Sequence, residues 1–128
     1  MKNIHTLTLA VAVFAAVSAH AEEPIRRTSL LKSEISKPGL EIVQVRVDFA
    51  PGALASKHSH PGEEIAYVLQ GALEYKLEGQ KPVVLIAGQS LFIPTGVVHS
   101  ARNVGGATAT ELATYVASKG KALVVPFE

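Results

Sequence analysis

The side chains best able to do chemistry are His58, His60 and His99, the three histidines outside the first twenty residues, together with Glu64. On an extended segment successive side chains alternate, so His58 and His60 project from one face and Ser59 points away. Glu64 follows four residues after His60 and opens the apolar run Ile65 to Leu69. The intervening Pro61-Gly62 can turn its carboxylate back beside the imidazoles. Three neutral imidazoles and one carboxylate would hold a divalent transition metal and leave one or two positions open for water, dioxygen or substrate. The chain has no cysteine, which excludes a thiolate nucleophile and a zinc–thiolate site. A His-x-His pair by itself is more often surface decoration or a satisfied core pair, so the metal reading depends on what surrounds it.

Those residues need strands to position them. From Glu41 to Phe49 the apolar Ile42, Val43, Val45, Val47 and Phe49 interleave with Gln44, Arg46 and Asp48, the period-two pattern of a strand with one wet face. Leu73, Tyr75 and Leu77 alternate with charged residues, and a Gly79-Gln80-Lys81-Pro82 turn leads into Val83 to Ile86, which predicts a hairpin. Ile65 to Leu69, Leu91 to Ile93, Leu112 to Val116 and Leu123 to Val125 are further short runs between glycine- and proline-bearing turns. No helical stripe and no internal repeat competes with them, so an all-β sandwich or barrel is expected. In this reading Arg46 and Arg102 are solvated edge residues and Tyr67 faces away from Glu64, while the faces of Phe92 and Tyr115 stay open.

Two spacings carry a resemblance. Gly52, His58, His60, Glu64 and Gly71 fit Gly-x5-His-x-His-x3-Glu-x6-Gly, and Gly88, Pro94, Gly96, His99 and Asn103 fit Gly-x5-Pro-x-Gly-x2-His-x3-Asn. With every fixed position filled, the chain resembles the cupin family and looks like a small single-domain cupin. The resemblance implies a cupin double-stranded β-helix, a jelly-roll β-barrel of antiparallel strands with a metal near one mouth. It also implies His58, His60, Glu64 and His99 as ligands, with Asn103 making structural hydrogen bonds at a strand end. The family spacing selects Glu64 over Glu63, which strand alternation sends to the opposite face. A metal-free relative that keeps its histidines for acid–base work is the competing reading. Val68, Leu73 and Tyr75 are the candidate pocket residues, suited to a small apolar or aromatic ligand if they face inward.

The organisation is read as a signal peptide over residues 1–21, an N-terminal arm over 22–40 and the cupin domain over 41–128. Lys2, the uncharged run Leu7 to Val17 and Ala19-His20-Ala21 predict a Sec-type leader cleaved after Ala21, hence a periplasmic or secreted protein with no membrane association after cleavage. At 128 residues a second core is too small to form, and a net charge of +1 gives no footprint for nucleic acid. Without disulfides, stability must come from packing, metal or oligomerisation. The apolar faces on both sides of Ile65 to Leu69 predict a homodimer joined through sheet packing.

Three functions fit this reading. The first is a metal-dependent oxygenase, resembling small quercetinase-type dioxygenases, that takes a small aromatic or apolar oxygen-donor substrate. The second is a non-redox lyase or isomerase, in which the metal polarises a carbonyl and Glu64 stays a ligand or accepts a proton. The third is a noncatalytic metal- or ligand-binding module. Nitrogen and oxygen donors accept Mn, Fe, Ni, Cu or Zn, so the cofactor is one divalent transition metal ion of open identity.

Overall fold

A computed structural model describes residues 23–128, and the expected leader and its expected cleavage point lie outside the described residues. Among those described, the regular structure is all strand: β1 (Ile25–Glu34), β2 (Leu40–Phe49), β3 (Leu54–Ser59), β4 (Gly62–Gln70), β5 (Ala72–Leu77), β6 (Val83–Ile86), β7 (Ser90–Ile93), β8 (His99–Asn103), β9 (Ala109–Ser118) and β10 (Val125–Pro126). They form two five-stranded antiparallel sheets, in the orders β1-β2-β9-β4-β7 and β10-β3-β8-β5-β6. The inner faces pack against each other, with Val47 and Phe49 of β2, Val68 of β4 and the alanines of β9 meeting Leu73, Tyr75 and Leu77 of β5. This is the jelly roll expected from the sequence. The alternating run Glu41 to Phe49 lies within β2, and the expected hairpin is β5–β6, with Leu73 opposite Leu85 and Tyr75 opposite Val83.

The segment expected to be an arm is largely a strand. β1 pairs with β2 from Ile25 opposite Phe49 to Glu34 opposite Glu41, at the edge of the first sheet. Nearly all of its residues are exposed, so no buried face imposed an alternation on the sequence. Polar contacts tie it down. Asp48, itself buried, accepts from Arg26 at 3.1 Å, from Arg46 at 3.1 Å and from Thr110 at 2.8 Å. The Arg46 hydrogen bond, helped by Thr110 and Arg26, outweighs burial and holds the Asp48 carboxyl below its ordinary range. Arg46 is thus not an edge residue: β2 lies between β1 and β9.

Two glycines owe their place to closeness. Gly62 is not left-handed; it begins β4 opposite Ala117, and a β-carbon there would run into the Val116 carbonyl oxygen. Gly71 combines φ of +77° with a contact of 2.9 Å from an added β-carbon to Ala109, so both conformation and space demand glycine. Asn103 is buried and serves as a turn clamp. Its Nδ2 donates to Phe49 O at 3.0 Å and Ala107 O at 2.8 Å, and its Oδ1 accepts from Gly105 N at 2.9 Å.

Candidate metal centre

The histidines and Glu64 come from both sheets and meet where the chain crosses between them. His58 lies one residue before the end of β3 and His99 begins β8, and the two are direct cross-strand partners in the second sheet. Glu64 belongs to β4 of the first sheet, opposite Ile93 and Tyr115. His60 lies in the short β3–β4 crossover, where its carbonyl accepts from Gly96 N at 3.0 Å. A bulge sets the phase: Ala55 pairs with Ala101 and His58 with His99, so β3 carries one extra residue between these pairs. That residue reverses the alternation, and Ala55, His58 and His60 all border the same cavity.

The ring orientations are fixed by backbone carbonyls. His58 Nδ1 donates to Ser56 O at 2.6 Å, His60 Nδ1 to Leu123 O at 2.6 Å and His99 Nδ1 to Val97 O at 2.9 Å. A carbonyl can only accept, so each Nδ1 carries the proton and each neutral ring keeps its Nε2 lone pair. Imidazoles that bind metals are commonly held in this way. The three histidines place ligand atoms within 4.8 Å of one another. Glu64 Oε2 lies 2.9 Å from His60 Nε2 and 3.4 Å from His99 Nε2.

This set of atoms is incomplete without a cation. His60 Nε2 and Glu64 Oε2 are buried and find no aligned hydrogen-bond donor among the described residues. With the Nδ1 protons committed, a lone pair faces a carboxylate oxygen, and two acceptors at such a distance need a positive charge between them. Burial pushes the His58 imidazole below its ordinary pKa, reinforced by His99 and His60 and opposed by the Ser56 carbonyl, which favours its neutral form. Burial raises Glu64, but His60 and His99 outweigh it and hold the carboxyl low, which requires a proton or a cation between their Nε2 atoms and the carboxylate. Three nitrogen donors and one anionic oxygen therefore fit a divalent transition ion.

Glu63 and Glu64 take opposite faces, Glu64 buried inward and Glu63 half-exposed outward opposite Val116. Tyr75 borders the cavity, but Val68 and Leu73 do not; both are fully buried in the packed core. Each has the parity expected of an inward residue. However, Val68 lies four residues along β4 from Glu64 and Leu73 four along β5 from Leu77, the partner of His99, or about 13 Å of strand in each case. Tyr67 faces outward as expected, Phe92 is exposed, and Tyr115 turns inward with its ring 4.8 Å from that of His60.

The sequence reading missed two residues that border the cavity, Glu111 and Arg27. Glu111 sits on the inner face of β9, buried beside Glu64 and Tyr75, and its Oε1 and the Tyr75 hydroxyl both lack a hydrogen-bond partner among the described residues. Burial, followed by the nearby charge of Glu64, raises its pKa well above the ordinary range, which favours its neutral form. Burial also raises Tyr75, again with Glu111 and Glu64 adding to the effect, so its phenol stays protonated. Phasing Tyr115 inward would have revealed Glu111, four residues earlier on the same face. Arg27 was hidden because β1 itself was.

Residues 45–116, more than half the chain, match the family profile described as "Cupin domain". The chain belongs to the cupin family. Germin-like protein subfamily 2 member 2 of Arabidopsis thaliana is 35% identical over 86 residues, 61% of this cupin and 39% of the relative. This cupin spans less than half the length of that curated relative. Among solved structures, an uncharacterised Klebsiella pneumoniae protein with a double-stranded β-helix domain superposes with a TM-score of 0.68 at 21% identity, covering 84% of this cupin and 90% of that chain. Oxalate oxidase in complex with glycolate superposes with a TM-score of 0.65 at 25% identity, covering 82% of this cupin and 56% of that chain.

Proposed function

We propose that this cupin is an exported divalent-metal enzyme acting on a small oxygen-donor substrate, with His58, His60, Glu64 and His99 as the metal ligands. The observation that supports the reading is the buried meeting of carbonyl-locked imidazoles with the Glu64 carboxylate, where His60 Nε2 and Glu64 Oε2 have no aligned hydrogen-bond partner among the described residues. A bound Mn, Fe, Ni, Cu or Zn ion would supply Lewis acidity and, where redox-active, electron transfer to dioxygen. The chain's own part is positional: the carbonyls of Ser56, Leu123 and Val97 fix the rings, and Phe49, Ala55 and Ala101 give the cavity an apolar wall.

An oxidase or oxygenase is the favoured class, supported by the likeness to oxalate oxidase holding glycolate. The free volume of about 30 Å³ at the centre has room for about one water-sized group, so the donor end of a substrate enters and an aromatic ring does not. One observation favours the non-redox alternative. Glu111 and Tyr75 put two protonated side chains beside Glu64, as a lyase or isomerase that moves a proton would require.

The test begins with chelator-stripped protein melted with and without each of the five ions. At least one ion at 100 times its Kd should add about 2.7 kcal/mol, or on the order of 10 °C in Tm. Oxygen uptake with glycolate, oxalate and aromatic diols then separates the two enzyme classes. A protein that neither retains nor is stabilised by any of the ions is not this enzyme.

We also propose a homodimer. On the outer face of the first sheet Ile65 and Phe92 are exposed cross-strand partners, and Tyr67 and Leu69 continue the apolar stripe. Such a stripe is characteristic of an interface. Sedimentation should give a dimer at micromolar concentration and a monomer for Ile65→Glu, whereas a wild-type monomer would refute the dimer.

A further inference from the structure

Arg27 is the one permanently cationic side chain among the residues bordering the metal-centre cavity. Its place follows from register. Arg27 pairs with Val47, Val47 with Glu111 and Glu111 with Val68, a single row across four strands whose Val47 and Val68 are core residues of the inner face. Its neighbour Arg26 takes the other face and is bound to Asp48. Arg27 has no ion pair or side-chain hydrogen bond among the described residues, although Arg26, Lys32 and Arg46 nearby are all paired.

Exposure locates it at the opening. Most of the cavity wall is buried, but Arg27 and Val124 are exposed and His58 partly so, and these three mark where solvent reaches the centre. The cavity is too small to enclose a substrate, so a ligand that puts one donor group inside must leave the rest at this opening. There it meets a guanidinium with five N–H donors in a fork that matches a carboxylate.

We propose that Arg27 binds a carboxylate, so that the ligand is a small carboxylic acid with a second oxygen donor, one end at the metal centre and the carboxylate on the N-terminal strand. This rests on the metal reading above and narrows it from oxygen donors in general to anionic ones. It also gives β1 a function: the edge strand completes the site.

The test uses zinc-loaded protein, which binds without redox turnover, and calorimetric titration with glycolate, oxalate and the neutral analogue ethane-1,2-diol. Wild type should bind at least one of the two acids and bind the diol at least about tenfold more weakly. Arg27→Gln should lose about 10- to 100-fold in acid affinity, and Arg27→Lys, which keeps the charge without the fork, should lose less. Zinc affinity by chelator competition should be unchanged in both variants. No binding of either acid, diol binding as strong as acid binding, or Arg27→Gln matching wild type would each overturn the role of Arg27 and leave the metal centre standing. Failure to take up zinc or any other divalent ion would instead overturn the metal reading, and this inference with it.

Discussion

Glu64→Gln is expected to weaken divalent-metal binding by about 100-fold or more while raising the melting temperature of the metal-free protein. The first effect follows from replacing an anionic ligand with a neutral amide. Residues that merely support a ligand cost about 10- to 100-fold, and a ligand should exceed that. The second follows from the unmatched acceptors. Without metal, Glu64 Oε2 faces His60 Nε2 at 2.9 Å and His99 Nε2 at 3.4 Å, and neither ring donates to it when neutral. A glutamine amide would donate to one of these lone pairs and remove a buried charge, a gain of about 1–3 kcal/mol. For a domain of this size that is several degrees or more in Tm. Chelator competition measures the first effect, and melting in excess chelator at pH 8, where ordinary imidazole is neutral, the second. Glu63→Gln should alter neither, because Glu63 faces outward opposite Val116. A lowered metal-free Tm for Glu64→Gln would mean that a proton already bridges the site. Equal metal losses in the two variants would mean that the assignment of the carboxylates is wrong.

How much of this could be read beforehand depended on whether burial had left its mark on the sequence. β2 and the β5–β6 hairpin were legible because one face of each is buried and alternation records it. β1 left no such record, since it is exposed on both faces and held mainly by its ladder and by ion pairs such as Arg26–Asp48. The pairing of His58 and His60 on one face was legible from their spacing. Their phase relative to Ala55 was not, because it depends on a bulge opposite Ala101 and His99 that only the partner strand defines. Val68 and Leu73 mark another boundary. Alternation assigns a residue to a face and says nothing of its distance along the strand, so two residues that face inward stand well away from the histidines. Glu111 lay beyond reach for a related reason: it is a carboxylate in an inward row otherwise made of Ala109, Ala113, Tyr115 and Ala117, and with the phase of Tyr115 open nothing marked it as buried.

That carboxylate is where the second large effect is expected. Glu111→Leu should weaken metal binding by about 10- to 100-fold, and Glu111→Gln should stay within a few-fold of wild type. Glu111 makes no hydrogen bond to a histidine ring among the described residues; it acts through Glu64, which it neighbours from the adjacent strand β9. Two buried carboxyl groups so close cannot both be charged, and Glu64, facing the imidazoles, is the one that keeps the charge. Glu111 is then the proton-bearing partner, a donor that orients the Glu64 carboxylate toward the histidine Nε2 atoms. Glutamine preserves both shape and a donor, whereas leucine preserves bulk alone and leaves Glu64 to turn. The comparison separates orientation from packing: chelator competition reports the first, and the melting temperature of the metal-free variants reports the second. If glutamine is as damaging as leucine, Glu111 must be ionised when metal is bound. It would then supply charge to the centre, and the negative charge assigned here to Glu64 alone would belong to the pair.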